Sequence, residues 1–585
     1  MNKTIKRLRI LFFLMIATAI SSSLMAQKAT LKGVIRDGIS NEELIGATVM
    51  VVEVNLGEVT DIDGKYRINS IPQGTYHVAI SYLGYQPDTL LLTLTAGQVL
   101  EQNVLLNYET ITTVEVVVSA QAEGQMSSIN QQLADNTIKN IISAKKIQET
   151  PNANAAEAIG RVSGVSIVRS GGEGNKVVVR GLAPKFNKVQ VEGISMASTG
   201  GDNRSSDLSM ISPYMLDGIE VSKAAMANQE GDVIGGTVNF ILRQAPDSMT
   251  FDAILQGGYS SLNSSFNNYK LVVGGSNRFF NGKLGVFAQI DLERRDRSSN
   301  EVDVSYKNPT NQLDSFDVFL GAMSVRDIQR DIKRGGATVV MDYQLASGDL
   351  KMSNFVSLIN NDQINRYELY NPAFSTHTYG LALTEDNVRV MTNALKYKTT
   401  FGAWTFDAGV SFSQSKNKRP SNTNFFATEP NAFNGQIAFV NDPTKIQTFA
   451  KNEANNANVQ FINKSLFKTN EDKYGADINL TYDVNFFKNL NVKFKAGLKY
   501  KLLKKDFDQE SARIPVAQSG HGGAFVKEAI KTISWLNENL ASDASKLPYD
   551  LFVDNDYGKN DFPEGVYSTQ NIPDINKIND FARLA

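Results

Sequence analysis

The chain carries three histidines, His77, His377 and His521, and no cysteine. Imidazoles and thiolates hold transition metals and activate nucleophiles, so histidines this scattered offer neither a metal cluster nor a catalytic triad. No Gly-x-Ser-x-Gly elbow and no His-Glu-x-x-His helix occurs, so no enzyme and no cofactor is expected. Without cysteine there is no disulfide, thiolate metal site or lipidated cysteine anchor. Asp61 and Asp63 are spaced like calcium-loop ligands, but a third carboxylate and a terminal bidentate glutamate are absent, so a hairpin turn is expected there. Ser170 to Gly174 is glycine-rich yet lacks the Gly-Lys-Ser/Thr that cradles a phosphate. Lys493, Lys495, Lys499 and Lys501 share one face of an alternating segment and could attract an anion. Asp477 and Asp483 on the neighbouring segment could equally pair with them across strands.

From Thr250 onward, segments of about ten residues alternate apolar and polar side chains, the length and period of a membrane-spanning strand. Trp404, Phe406, Ala408, Val410 and Phe412 oppose Ala403, Thr405, Asp407, Gly409, Ser411 and Ser413. Tyr474, Ala476, Ile478, Leu480 and Tyr482 alternate likewise, as do Val492, Phe494, Ala496, Leu498 and Tyr500. A soluble sandwich also alternates, and the connections separate the two readings. Tight turns at Asn281-Gly282, Ala346 to Gly348, Gly402 and Asn485 to Asn489 take turns with long polar stretches, Asp296 to Lys333, Asn361 to Asn387 and Lys416 to Asp472. Short periplasmic turns and long extracellular loops are the pattern of an outer-membrane barrel, and irregular loops of that length form a recognition surface.

The N-terminus agrees. Lys3, Lys6, Arg7 and Arg9 precede the apolar run Ile10 to Ile20, and small residues lead to Ala26, so residues 1–26 read as a secretory signal peptide. The formal net charge of −2, with 21% charged residues, indicates no nucleic-acid partner. Residues 27–107 contain short β-prone runs between turn residues and predict a small antiparallel sandwich. Thr60-Asp61-Ile62-Asp63-Gly64-Lys65-Tyr66 and Ile71-Pro72-Gln73-Gly74-Thr75-Tyr76 resemble the carboxypeptidase regulatory-like domain found before bacterial surface receptors.

Residues 108–129 hold the run Val114, Glu115, Val116, Val117, Val118, Ser119 and Ala120, which could add a strand to a partner by backbone pairing or simply close the sandwich. Residues 130–246 then carry Ala155 to Gly160, Val162-Ser163-Gly164-Val165-Ser166-Ile167, Val177-Val178-Val179-Arg180-Gly181 and Val189-Gln190-Val191-Glu192-Gly193. Met215 to Lys223 and Gly231 to Phe240 follow. In this order they resemble the plug domain of TonB-dependent outer-membrane receptors, and within that family Glu115 to Ala120 resembles the TonB box. Gly181, Gly193, Gly235 and Gly236 suit sharp turns close to a wall. Arg180, Glu192, Asp232 and Asn239 are strand-end groups available for plug-to-barrel bonds or for ordinary turn roles. The segment lacks the wording of the starch-utilisation SusC type. Arg180-Gly181-Leu182, Phe186-Asn187-Lys188-Val189 and Asn203-Arg204 to Leu208 resemble a subgroup linked to oligosaccharide uptake.

The expected fold is therefore mainly β: an N-terminal sandwich, an α+β plug, and, over 247–585, the first part of a transmembrane antiparallel barrel. About nine strands lie between Thr250 and Phe507, whereas a plugged transporter closes with about 22. From Phe507 the chain reads as a loop with a helical piece near Phe525 to Leu540 and stops at Ala585, which suggests the N-terminal part of a longer receptor. The resemblance implies energised uptake across the outer membrane of a scarce solute, an oligosaccharide or an iron chelate. It implies a TonB-type inner-membrane partner and contact with outer-membrane lipid, with a surface lipoprotein or an anti-sigma regulator as further partners. The alternative is a receptor that signals or adheres.

Overall fold

The computed structural model describes residues 28–38, 41–61, 63–107, 139–150, 153–201, 204–223, 230–231, 233–307, 318–435, 440–487, 490–516, 521–542, 544, 546–557, 560–562 and 565–584. The signal peptide and Val114 to Ala120 lie outside these residues.

The N-terminal domain is two facing sheets closed on Leu31, Ile35, Val49, Val51, Val78 and Ile80. One sheet joins β1 (Ala29–Asp37) to β4 (Lys65–Ile71), β7 (Val99–Glu101) and β8 (Val104–Leu106); the other runs β3 (Leu56–Val59), β2 (Thr48–Val51), β5 (Gly74–Ser81), β6 (Asp88–Leu94). The sandwich is not wholly antiparallel, because β1 pairs in parallel with β7 and β8. Alternation reports which face a residue takes, not which way its neighbour runs, so the sequence carries no sign of this. Asp61 is a turn residue: its Oδ1 accepts from the N–H groups of Asp63 at 3.0 Å and Lys65 at 2.9 Å, and Gly64 takes φ +65°.

The plug starts with β9 (Lys139–Ser143) and two short helices, α1 (Ala144–Glu149) and α2 (Ala155–Ile159), capped by the side chains of Ser143 and Asn154. A hairpin of β10 (Val165–Ser170) and β11 (Glu173–Val179) stands beside a five-stranded mixed sheet. Its order is β13 (Ile194–Ser195), β12 (Asn187–Val191), β15 (Gly236–Leu242), β14 (Leu216–Ser222), β9.

The wall is one antiparallel sheet: β16 (Thr250–Ser260), β17 (Ser265–Phe279), β18 (Leu284–Asp296), β20 (Phe319–Leu345), β21 (Gly348–Asn371), β22 (Thr376–Phe401), β23 (Trp404–Pro430), β24 (Asn458–Phe487) and β25 (Leu490–Pro515), with β19 (Ser299–Lys307) on β20. Among the described residues β16 and β25 do not meet, so the wall is open. Its outer face is apolar near the short turns, where Leu255 is 81% and Leu498 80% exposed. Two aromatic pairs bound this band on β23 and β24, Trp404 with Tyr482 at 4.4 Å and Phe412 with Tyr474 at 5.0 Å. The pairs stand about 26 Å apart along the strand, the height of the apolar belt of a membrane barrel.

The long polar stretches are not irregular loops. β24 is 30 residues long, about 100 Å of strand, where about ten residues span a bilayer. Most of Asn361 to Asn387, and much of Lys416 to Asp472, extends the wall beyond the band. From β21 to β22 the register runs without a shift from Gly348↔Thr399 to Asn371↔Thr376, so His377 and Tyr379 share the outer face of Leu395. Water would meet these rings there. Instead the chain after β25, expected to be a loop with one helical piece, folds back as a cap. Helices α3 (His521–Thr532), α4 (Ser534–Asn539) and α5 (Ile575–Ala582) and the short strands β26 (Asn560–Phe562) and β27 (Tyr567–Thr569) form it. Phe552, Phe581, Ile530 and Leu536 of the cap share one core with Tyr379, Leu381, Phe425 and Ala427 of the wall.

Candidate functional site: the seam between plug and wall

The plug lies on the inner face of the wall and is joined to it by one apolar patch and a set of polar bonds. Phe287, Val340, Phe355 and Val390 of the wall complete the plug's core. Around them stand three groups of bonds, each set by a turn that presents backbone or carboxylate to an alternating strand.

At the tip of the β10–β11 hairpin, Gly171 and Gly172 take φ +59° and +76°, and the turn delivers the buried Glu173 to the wall. Its carboxylate pairs with Arg334 and, at 2.7 Å, with Arg297. Arg334 also reaches Glu293 at 3.0 Å, and Glu293 meets Arg295 at 2.6 Å and Lys270 at 3.6 Å. Burial alone would raise the Glu173 pKa; the guanidiniums of Arg334 and Arg297 outweigh it and hold the carboxyl below its ordinary value.

At the β12–β13 turn, Glu192 takes φ +54° and Gly193 φ +76°. The Glu192 carboxylate accepts from the Leu242 N–H at 2.7 Å and from Lys351 Nζ of the wall at 2.8 Å, while Lys396 donates to its carbonyl. Asn239 stays inside the plug, accepting from the Gly193 N–H at 2.7 Å and donating to Glu220 at 3.1 Å.

The third group follows β13. Ser413 Oγ accepts from the Ala197 N–H at 2.9 Å, Glu471 from the Ser198 N–H at 2.9 Å, and Lys473 donates to the Met196 carbonyl at 2.9 Å. Lys505 reaches the Gly200 carbonyl at 3.2 Å and Asn417 that of Thr199 at 2.7 Å. Backbone groups of the plug that no plug strand pairs are thus satisfied by wall side chains that water could replace.

The expected plug residues divide. Among the described ones, Glu192 is the one that reaches the wall with its side chain. Arg180, with φ +54°, is exposed at the turn before Gly181, and Lys223 donates to Ser163 at 3.2 Å within the plug. Gly235 and Gly236 are close-packing positions, since a Cβ on Gly236 would lie 2.8 Å from the Ser222 carbonyl. Asp232 and Val114, Glu115, Val116, Val117, Val118, Ser119 and Ala120 lie outside the described residues. Three of these lysines of β25 find partners on other bodies: Lys499 pairs with plug Glu230 at 2.9 Å, joined there by Lys501 and by Lys188 of the plug, and Lys493 with Glu58 of the N-terminal domain at 3.0 Å. Glu173, Arg334, Ser413 and Glu471 carry the seam without any motif to mark them. The only sign of Arg334, Ser413 and Glu471 is a charged or hydroxyl side chain on the polar face of a wall strand, and Glu173 stands in a glycine-rich plug turn.

An outwardly apolar antiparallel wall with a separate α+β body bonded to its inside is the architecture of a plugged β-barrel receptor. Residues 31–118 match the CarboxypepD_reg-like domain and residues 132–237 the TonB-dependent Receptor Plug Domain. In these two domains the chain is similar to the TonB-dependent receptors. It is 26% identical over 227 residues to the TonB-dependent receptor SusC of Bacteroides thetaiotaomicron, a match covering 37% of this chain and 21% of that relative. The expected distance from the SusC type is therefore not what the comparison returns. Among solved structures, the chain is similar to the ferric enterobactin receptor PfeA of Pseudomonas aeruginosa (13% identity, TM-score 0.31, 62% of each chain) and to the ferric citrate transporter FecA (15%, 0.29, 67% of this chain and 62% of that one). At these TM-scores the likeness carries no argument.

Proposed function

We propose that the chain is an outer-membrane importer of a scarce solute, in which a TonB-type partner in the inner membrane pulls on Glu115 to Ala120 and so displaces the plug. The seam is the observation that supports this reading. The body that fills the wall's inside is held largely by hydrogen bonds and ion pairs, and a hydrogen bond exchanged for water costs only about 1 kcal/mol net. An outer membrane holds no nucleotide or gradient of its own, so a partner must supply the work. In this reading the chain binds and passes its solute without chemical change. Deleting residues 114–120 is expected to abolish uptake by cells while solute binding persists; uptake at the wild-type rate by the deletion strain would sink the mechanism.

A further inference from the structure

Past the apolar band, on the side of the long extensions, the outer face of the wall turns charged, and its cations are matched on some strands and not on others. One rung of register crosses Arg294, Lys333, Asn360, Asn387, Lys418 and Lys468, from β18 through β20 to β24. On β18 and β20, Arg294 holds Asp331 by two bonds of 2.9 and 3.0 Å, and Lys333 lies 3.2 Å from Asp331 and 3.7 Å from Asp362. On β22 to β24 the cations face one another instead. Lys418 stands directly opposite Lys468, and one rung nearer the band Arg389 stands directly opposite Lys416. All four are exposed, and among the described residues none of them makes an ion pair. Of the acids near by, Asp472 accepts from Gln414 at 2.7 Å and Glu385 from Asn387 at 2.8 Å, while Asp506 and Asp508 of β25 lie opposite Asn470 and Lys468 without pairing. Like charges directly opposite each other destabilise a sheet, and an anion that binds several of them at once removes the penalty.

The surroundings of the four cations select the anion. Phe412 and Tyr474, an aromatic pair that bounds the band, stand four residues from Lys416 and six from Lys468, about 14 and 20 Å of strand. Leu502 lies beside Tyr474 in register, and both are exposed on the outer face. Long basic side chains lay their stems along such a surface and carry their charge to the level of the headgroups. Two rungs beyond Lys418, at Leu383, the cap begins to cover the outer face. The cations therefore occupy a collar between the apolar band and the cap, where the headgroup layer of a bilayer lies. A free anion matches the cations alone, whereas a lipid with phosphate above and acyl chains below matches the cations and the apolar strip beneath them.

We propose that Arg389, Lys416, Lys418 and Lys468 form a phosphate-binding site for the headgroup of an anionic lipid of the outer leaflet, whose acyl chains lie on Phe412, Tyr474 and Leu502. The proposal rests on the place of the apolar band in an outer membrane and not on the pull of a TonB-type partner.

The test is titration of the purified chain in a neutral maltoside detergent with diphosphoryl lipid A, with the same lipid stripped of its phosphates, and with inorganic phosphate as competitor, the bound lipid being counted by native mass spectrometry. Diphosphoryl lipid A is expected to bind, the phosphate-free lipid to bind far more weakly, and excess inorganic phosphate to leave the bound lipid in place. The triple variant Lys416→Gln, Lys418→Gln and Lys468→Gln should weaken binding about a hundredfold, about fivefold for each lysine. Lys527→Gln with Lys531→Gln, two exposed cations of the cap, should leave it unchanged. Emission from Trp404 and Trp535 verifies that the variants are folded. Equal binding of the phosphate-free lipid, displacement by free phosphate, or unchanged affinity in the folded triple variant overturns the site. The readout needs no uptake, so intact transport in the 114–120 deletion refutes the importer and leaves this site standing.

Discussion

Two bodies rest on opposite faces of the same strands, and they are held by different physics. The plug meets the inner face through Glu173 with Arg334, Glu192 with Lys351 and Ser413 with Ala197, around a patch of four wall side chains. The cap meets the outer face through a continuous aromatic core, in which Phe552 lies 5.3 Å from Phe425, 5.3 Å from Trp535 and 5.7 Å from Phe581. A polar seam can trade its bonds with water one at a time, whereas an apolar one must expose its whole area at once. On this contrast the plug is expected to move and the cap to stay.

The largest effect should come from the apolar seam. Phe552→Ala is expected to cost about 4 kcal/mol, as for a large-to-small change in a packed core, and to free the cap. Limited proteolysis should then cut after β25 while the apolar band stays intact. Cleavage no faster than in the parent would erase the contrast.

Arg334→Leu is expected to cost about 3 kcal/mol, the low end for breaking a buried ion pair, because Arg297 and Arg295 still hold the two carboxylates. Denaturant titration of plug unfolding reads it. The pH dependence sharpens the point. The folded Glu173 pKa lies below its unfolded value, so its stabilisation is present above the unfolded pKa and is lost as pH falls through the folded one. Acid should loosen the plug, and Glu173→Gln should flatten that dependence.

The cap has the opposite sign. His377 is fully buried beyond the apolar band, stacked on Tyr370 at 4.1 Å and tilted against Tyr379 at 4.2 Å. Glu368 lies 3.3 Å from Nε2 and Glu429 3.6 Å from Nδ1, and Glu368 also accepts from the cap's Gln570 N–H. Burial would lower the His377 pKa, but the two carboxylates prevail and raise it. Its contribution is then full below the unfolded value and is lost as pH rises through the folded one. In a Trp404→Phe background, Trp535 emission should report a looser cap in alkali, and His377→Gln should remove that transition.

These contrasts were only partly legible in the sequence. The band could be read because Trp404 to Phe412 alternates with a strong apolar contrast, and the turns because Asn281-Gly282 and Gly402 need positive φ, found at 56°, 83° and 59°. Beyond the band the contrast fades: on β21, Gln363 and Asn365 alternate with Arg366 and Glu368, polar against polar, although the first two are half-buried and the other two fully buried. Only tertiary burial distinguishes them. Glu173 and Arg334 are 161 residues apart, and no local pattern links them.

Two smaller effects bound the comparison. Gly193→Ala, at φ +76°, should cost the plug about 1 kcal/mol through backbone strain alone, measured by the same denaturant titration. Lys493→Ala removes a half-exposed pair with Glu58 and should change stability by about 0.5 kcal/mol or less, while making attachment of the N-terminal domain less sensitive to salt.

The central claim is that the plug moves against the wall during uptake. The chain has no cysteine of its own, and the 2.9 Å contact between Ala197 N and Ser413 Oγ brings those positions within reach of a disulfide. Uptake by cells carrying Ala197→Cys with Ser413→Cys tests the claim most directly. Oxidised, the pair is expected to bind solute but not import it, and reductant should restore import. Wild-type uptake with the disulfide fully formed would contradict the account.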